Sequence, residues 1–433
     1  VDDEAVPAEA SAADRPHEVL RRPAFTFFWS AVTIRAFGSS ISGVAVQILI
    51  VTVLQATPAE ISVLSALSVV PYVFLGLIVG ALMDRWSRQR TLVITSIGQA
   101  VILASVVVLL LCDALNFWSL AIIILMLGVL VLFADSASQP LLPRIVPRDS
   151  LVMANARLGQ SSTVAATAGP ALGGALVNLL GAPILFAVDA VITAISAVLQ
   201  SRIRVEEPKP APRADGHHVG HDIAEGVRFT YRHKTLRPLA LSVHTWFLGN
   251  SIVVTLFGVF VLRELHLAAW AYGVAIAFGA VGGFLGALIA TRIGARIGIG
   301  WAIFVGRALV AVPWLVLAAV PVDAASGVVV LLALVSSVQF VYSLAMGVED
   351  SNDIGYRQAV APDVIQGRMN STIRTINRVV FLFGALLAGL LATLLGYRLT
   401  IGIGALIFAI SALIVVTSPL RNVQHIDPLG PTL

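Results

Sequence analysis

The sequence predicts an all-α membrane protein, with twelve transmembrane helices in two pseudo-symmetric six-helix bundles. Three observations carry this. The 433-residue chain is 58% hydrophobic and only 12% charged, with a mean hydropathy of +0.92. A soluble domain carries roughly 25% charged residues. So little charge cannot cover a water-facing surface, which excludes a soluble enzyme, a nucleic-acid-binding protein and a disordered chain. The second observation is a series of long apolar runs. The third is that the two halves of the chain repeat.

The apolar segments are 25–54, 59–83, 91–112, 117–141, 151–180, 182–201, 238–262, 268–291, 299–320, 326–348, 366–395 and 398–418. A crossing needs about 20 apolar residues. Backbone groups in lipid must be satisfied internally, so these runs are helices, and the polar-in alternation of a membrane β-barrel is absent. Residues 1–22, acidic and rich in Ala and Pro, are expected to form a disordered cytoplasmic tail. Residues 23–201 form the first bundle and 237–418 the second. Between them, 202–236 is a central cytoplasmic loop with Pro208, Pro210 and Pro212, and 419–433 is a second cytoplasmic tail.

Charge sets the expected orientation. With the N-terminus inside, the inner links hold Arg88, Arg90, Arg144, Arg148, Arg202, Arg204, Arg292, Arg296 and others, while the outer links hold only Arg263 and Arg398. That bias puts both termini in the cytoplasm and the protein in the inner membrane. It also accounts for the formal charge of +4 without nucleic acid. Lys209 and Lys234 are the only lysines, an arginine bias of the kind a GC-rich bacterial genome produces. The single cysteine, Cys112, permits no intrachain disulfide.

A shift of about 215 residues superposes Pro147 on Pro362, Asn155 on Asn370, Gly169 on Gly384, Gly174 on Gly389 and Gly181 on Gly396. Ala194-Ile195-Ser196-Ala197 falls on Ala409-Ile410-Ser411-Ala412. Paired six-helix repeats mark secondary transporters that rock around a midplane site.

Between the second and third segments stand Gly80, Asp84, Arg85, Arg88 and Arg90. A carboxylate at a helix end beside three arginines can lock one conformation by exchanging partners; an ordinary positive-inside loop has the same composition. These residues resemble the loop motif of the major facilitator superfamily, with Ser87 where Gly is usual and Gln89 where a basic residue is usual. The resemblance implies a conformational latch centred on Asp84. In the fifth segment, Gly169-Pro170-Ala171-Leu172-Gly173-Gly174 resembles the kink of the superfamily's antiporters, with Ala156 and Ala165 where two upstream glycines are usual. Taken alone, the same run is a structural kink. The resemblance implies export in exchange for protons. The stretches 141–148, 154–155, 225–229 and 367–370 are similar to the bacterial efflux branch of macrolide and enterobactin exporters.

Charges at membrane depth are costly and point to function. Arg35, Asp135 and His244 lie in segments that the resemblance places around a central cavity, with Gln339 and Tyr342 as further polar candidates. Arg35 is expected to attract a polar or anionic substrate group, and Asp135 or His244 to carry the coupling proton. An Arg35–Asp135 pair that only joins helices is the plainer alternative. Glu349, Asp350, Arg374 and Arg378 form an expected inner gate, or a solvated loop face. Asp189 and Arg307, in segments the resemblance makes peripheral, are expected to be structural pairs. His217, His218 and His221, in a Pro-rich loop, make a poor preformed metal site, so no metal is assigned. No Gly-Lys-Ser/Thr phosphate loop or zinc-hydrolase motif occurs, so the chain is expected to be neither an ATP-driven pump nor an enzyme. It needs no cofactor beyond the proton gradient. The expected partners are lipid and a small amphiphilic substrate, drug- or siderophore-like, handled by a monomer. A proton-coupled importer and a non-transporting scaffold or sensor are the competing readings.

Overall fold

The computed structural model describes residues 22–83, 86–147, 150–205, 219–320 and 327–424. Residues 1–21 and 425–433 of the two tails, Asp84, Arg85, Arg148 and the Pro-rich part of the central loop lie outside the described residues. The first half contains α1 (Pro23–Ile48, continued by a π-turn Leu49–Val53), α2 (Pro58–Met83), α3 (Arg88–Leu111), α4 (Phe117–Ile145), α5 (Leu151–Leu180) and α6 (Ala182–Ser201). A 14-residue helix, α7 (Val219–Arg232), follows within the segment expected to be loop. The second half contains α8 (Leu236–Val259, continued by a π-turn Phe260–Glu264), α9 (Ala269–Ile297), α10 (Ile299–Ala319) and α11 (Val328–Val360). It ends in one long helical stretch, Asp363–Val416, broken at Gly396 into α12 (363–395) and α13 (397–416). Among the described residues, 11 helical stretches are long and apolar enough to cross a membrane, the last containing both α12 and α13. The protein is an all-α membrane protein.

Helix ends at the water faces carry their own caps. Asn116 Oδ1 accepts the Ser119 N–H at 3.0 Å, while Ser119 Oγ accepts the Asn116 N–H at 2.9 Å, a reciprocal cap that starts α4. Thr57 and Glu60 do the same for α2. Gln89 donates to the carbonyls of Gln200 and Ser201 at 3.1 and 3.2 Å and so caps the end of α6. That contact gives Gln89, the departure from the loop motif, a structural use.

The repeat read from the sequence is present in the backbone. The π-turns 49–53 and 260–264 are each followed by a left-handed residue, Gln55 (φ 47°) and His266 (φ 53°). Gly181 (φ 80°, ψ 161°) and Gly396 (φ 80°, ψ 169°) each make a one-residue hairpin link. Only glycine occupies that region without strain. Ser196 Oγ donates to the Ala31 carbonyl and Ser411 Oγ to the Ser242 carbonyl, at 3.2 and 2.8 Å.

α7 presents Phe229 and Tyr231 to a cluster formed by Leu236, Leu239, Ile303, Tyr356 and Ile373. Its Gly226 lets it press on α12, where a Cβ would stand 2.8 Å from the Arg368 carbonyl oxygen. Glu225 pairs with Arg368 beside this contact. The central segment is therefore docked on the second half.

Gly181→Ala or Gly396→Ala is expected to cost about 1–3 kcal/mol, because each forces a side chain into a glycine-only region. Gly159→Ala, in the helical interior of α5 with open space at its Cβ, is expected to gain about 0.5–1 kcal/mol. Thermal melts of the three purified variants in detergent check both signs.

Candidate transport site

Two groups of polar side chains sit inside the bundle, and they differ in charge balance. In the first half, Arg35 on α1 donates to the Gln99 side chain on α3. Asp135 stands eighteen residues into α4, about 27 Å along it. It is exposed there and accepts from the Tyr72 hydroxyl of α2 at 2.9 Å. A carboxylate at that depth faces an aqueous cavity rather than lipid. The Arg378 guanidinium, from α12 of the other half, lies 4.5 Å over the Tyr72 ring. Arg35, Asp135, Tyr72 and Arg378 thus meet where the two halves face each other. No ion pair within 4.0 Å joins Arg35 to a carboxylate among the described residues, so the plain Arg35–Asp135 tether is not formed.

In the second half, Arg307 of α10 is 1% exposed. It reaches Glu349 at 2.5 Å and Asp353 at 4.0 Å on α11. It also donates to the Ser242 carbonyl of α8 and to Ser411 Oγ of α13, at 3.2 and 3.1 Å. Arg357 pairs with Asp353 at 2.8 Å. Two cations and two carboxylates close this network, and it ties four helices together. The expected inner gate is corrected by it: Glu349 pairs with Arg307, not with Arg374 or Arg378. The reason is local. Gly306 carries no Cβ (one would stand 2.6 Å from the Glu349 Cβ), so α10 and α11 close tightly and draw Glu349 inward. Asp350 and Arg374 are exposed, and Arg378 serves Tyr72.

His244 does not join the Arg35 group through any described contact. Its Nδ1 donates to Asn377 Oδ1 at 2.6 Å, and its Nε2 accepts from the Tyr231 hydroxyl at 2.6 Å. Both ring nitrogens are hydrogen-bonded, and the ring is held between α8, α12 and the docked α7. Tyr342 donates to Asn250 at 2.6 Å and packs on Trp314 and Phe408. Gln339 is buried against Gly279 of α9. Both belong to the aromatic core of the second half. His233, in the turn before α8, accepts the Thr235 and Leu236 N–H groups on Nδ1, each at 3.3 Å, and burial lowers its pKa. Of the central-loop histidines, to which no metal is assigned, His217 and His218 lie outside the described residues.

The antiporter-like run is a packing surface. A Cβ at Gly173 would stand 2.7 Å from the Ile41 carbonyl oxygen of α1, and one at Gly174 would stand 2.7 Å from the Ala269 carbonyl oxygen of α9. Gly169 lies against Ser40, and Gly273 of α9 against the Pro170 carbonyl. The run therefore seats α1 within its own half and α9 across the interface. In the expected latch, Gly80 has open space around it, Arg88 and Arg90 open α3, and Trp86 stacks on Phe133 at 5.8 Å. Asp84 and Arg85 fall outside the described residues.

The contacts between halves gather at the face away from the basic links. Gln47 packs on Gly258, and Ser62 on Gly389. Arg263, at the end of α8, donates to the Ala56 and Val51 carbonyls at the end of α1, at 2.7 and 2.8 Å. Tyr72, Gln99, Asn250, Asn377 and Tyr231 were missed as partners by sequence reasoning. The amides Gln99, Asn250 and Asn377, set within apolar runs, were the available signal.

A membrane-spanning all-α chain with repeated halves meeting at polar and charged side chains has the architecture of the major facilitator transporters. More particularly, the chain belongs to the transmembrane secretion effector family of that superfamily, whose model matches residues 15–430. It is 32% identical over 147 residues to uncharacterised MFS-type transporters of Mycobacterium tuberculosis and Mycobacterium bovis, a match spanning 33% of this chain and 33% of each relative. Among solved structures, its fold is similar to an inward-facing, unoccupied bacterial homologue of the human lysosomal transporter Spinster (TM-score 0.71, 13% identity, covering 93% of this chain and 98% of that one). It is similar as well to the nucleoside transporter NupG in a D323A variant (0.72, 12%, 91% and 99%). A third is an inward-facing bacterial homologue of the iron transporter ferroportin (0.72, 14%, 91% and 98%).

Arg307→Met is expected to destabilise the protein by about 3–5 kcal/mol, since it strands a buried carboxylate, and Arg307→Met with Glu349→Leu to recover part of that loss. Melting of both variants in detergent checks this. Arg263→Ala is expected to loosen the closed face. In a Cys112→Ser background, a cysteine at Ser62 should then react several-fold faster with a membrane-impermeant maleimide.

Proposed function

We propose that this protein exports a small amphiphilic compound, drug- or siderophore-like, across the bacterial inner membrane in exchange for protons by alternating access. The observation that carries the reading is the Arg35–Tyr72–Asp135–Arg378 group, where charges at membrane depth from both halves surround one exposed carboxylate. Arg35 recognises a polar or anionic group of the substrate, and Asp135 exchanges the coupling proton. His244, with both nitrogens already bonded, is the weaker proton carrier. Closure at the face away from the basic links suits a transporter that loads its cargo from the basic, cytoplasmic side. The likeness of the Gly169–Gly174 run to antiporters, and of other stretches to macrolide and enterobactin exporters, supports export and this cargo class. A monomer with both termini in the cytoplasm suffices for the cycle.

The test is uptake into inside-out vesicles under an imposed proton gradient, screened against antibiotics and siderophores. Gradient-driven uptake of at least one compound is expected, and Asp135→Asn is expected to abolish it while the melting temperature stays unchanged. Uptake indifferent to the gradient would overturn antiport, and undiminished uptake by Asp135→Asn would remove that residue from the mechanism.

A further inference from the structure

We propose that Asp189 is a second proton-binding site, coupled to Asp135 through the one guanidinium of Arg35. Its use in transport rests on the antiport reading above, while the site itself rests on geometry. Asp189 is 5% exposed on α6. Its carboxylate has no cation within 4.0 Å among the described residues. What it has are hydroxyls: Ser42 Oγ of α1 donates to Oδ2 at 2.5 Å, and Thr193 Oγ1 donates to Oδ1 at 3.4 Å. Gly38 makes room for the carboxylate against α1, since a Cβ there would collide with Oδ1. Arg35, one turn earlier on the same helix, is the charged group within electrostatic reach of Asp189, and it acts on Asp135 as well. α3 and α5, the other helices packed on α6, bring no titratable group into that reach among the described residues.

The cation is therefore shared. Arg35, already hydrogen-bonded to Gln99, acts on both carboxylates, while Arg378, the other arginine of the group, stands over Tyr72 at the Asp135 end. In the second half the buried carboxylates Glu349 and Asp353 each have an arginine in direct contact, Arg307 and Arg357. An ionised carboxylate buried without a paired cation is costly, and one bound proton removes the cost. The Ser42 contact suits either state. With the carboxylate ionised, Ser42 donates; with a proton on Oδ2, the carboxyl donates and Ser42 accepts over the same distance.

Asp189 lies seven residues into α6, about 10 Å from the closed face. Asp135, about 27 Å into α4 from that same face, is much deeper. The two acids are thus stations at different depths that share one cation. Ser42 stands five residues before Gln47, which seals against Gly258 of the other half. Parting of the halves at this face uncovers that stretch of α1 and gives Asp189 access to the proton supply there.

Infrared difference titration of the reconstituted full chain tests this without transport. A carboxylic-acid carbonyl band that titrates in the wild type is expected to be lost in Asp189→Asn and restored, displaced, in Asp189→Glu. Its midpoint should rise by about one pH unit or more in Arg35→Gln, which removes the stabilising cation. It should fall in Asp135→Asn, which leaves that cation to Asp189 alone. Should Asp189→Asn fail to fold, the opposite shifts in Arg35→Gln and Asp135→Asn decide by themselves. A band unchanged in Asp189→Asn, or a midpoint indifferent to both partners, overturns the proposal. A band lost in Asp189→Asn together with gradient-independent vesicle uptake leaves the site standing and removes antiport.

Discussion

In hydrocarbon no water is present to complete a polar group, so every charge carried into the membrane must find its partner within the protein. That constraint shapes both halves, with opposite outcomes. Around Arg307 it is met by direct ion pairs. Glu349, Asp353, the Ser242 carbonyl and Ser411 surround the guanidinium, Arg357 balances the second carboxylate, and α8, α10, α11 and α13 are held together. Beside this network runs a chain of rings, from Trp246 through Phe408, Tyr342 and Trp314 to Phe257. The first half meets the constraint only in part: Arg35 has an amide as its direct partner, and Asp135 stands exposed at depth. A closed network makes a rigid body, and an incomplete one leaves charges that respond to a proton or a ligand.

The internal repeat sharpens this contrast. What the two halves share is backbone: the π-turns with their left-handed residues, the glycine hairpins, and the serine hydroxyls that pin α6 to α1 and α13 to α8. What they do not share is charge. Around Ser196 the first half uses Gln200 and Ser96, while around Ser411 the second uses Arg307. The repeated scaffold supplies two bundles that can rock on each other, and the unshared polar residues decide what the rocking is coupled to.

Hydropathy fixes helices well because the bilayer imposes a length, so the segments 151–180 and 182–201 coincide with α5 and α6. It fails where a helix continues through charged residues. α11 runs on to Val360 through Glu349, Asp353 and Arg357, and α7 forms within a charged segment because Phe229 and Tyr231 can dock on the second half. Arg35 and Asp135 were legible because charge inside an apolar run is rare. Their neighbours Tyr72 and Gln99 were not, because which helix faces which depends on rotation and close approach. The same limit misdirected Glu349. Sequence proximity to Arg374 and Arg378 suggested a gate, but the missing Cβ of Gly306 turned it toward Arg307.

The two arginines on the face away from the basic links show what such exceptions are for. Neither is a free charge in a link; each is bonded to carbonyls at the end of a helix, where the dipole leaves partial negative charge. Arg398 donates to the Val320 carbonyl within its own half, at 2.7 Å. Arg263 crosses to the other half and takes the Val51 and Ala56 carbonyls. In the first-half π-turn, Thr52 holds the place that Arg263 holds in the second, and its hydroxyl bonds back to the Ile48 carbonyl of its own helix. This closing contact is thus made from one side, by one guanidinium. Opening this face gives up both of its hydrogen bonds together while leaving Arg398 undisturbed. A one-sided latch lets the stability of the closed state be set at Arg263 without altering the packing of either bundle.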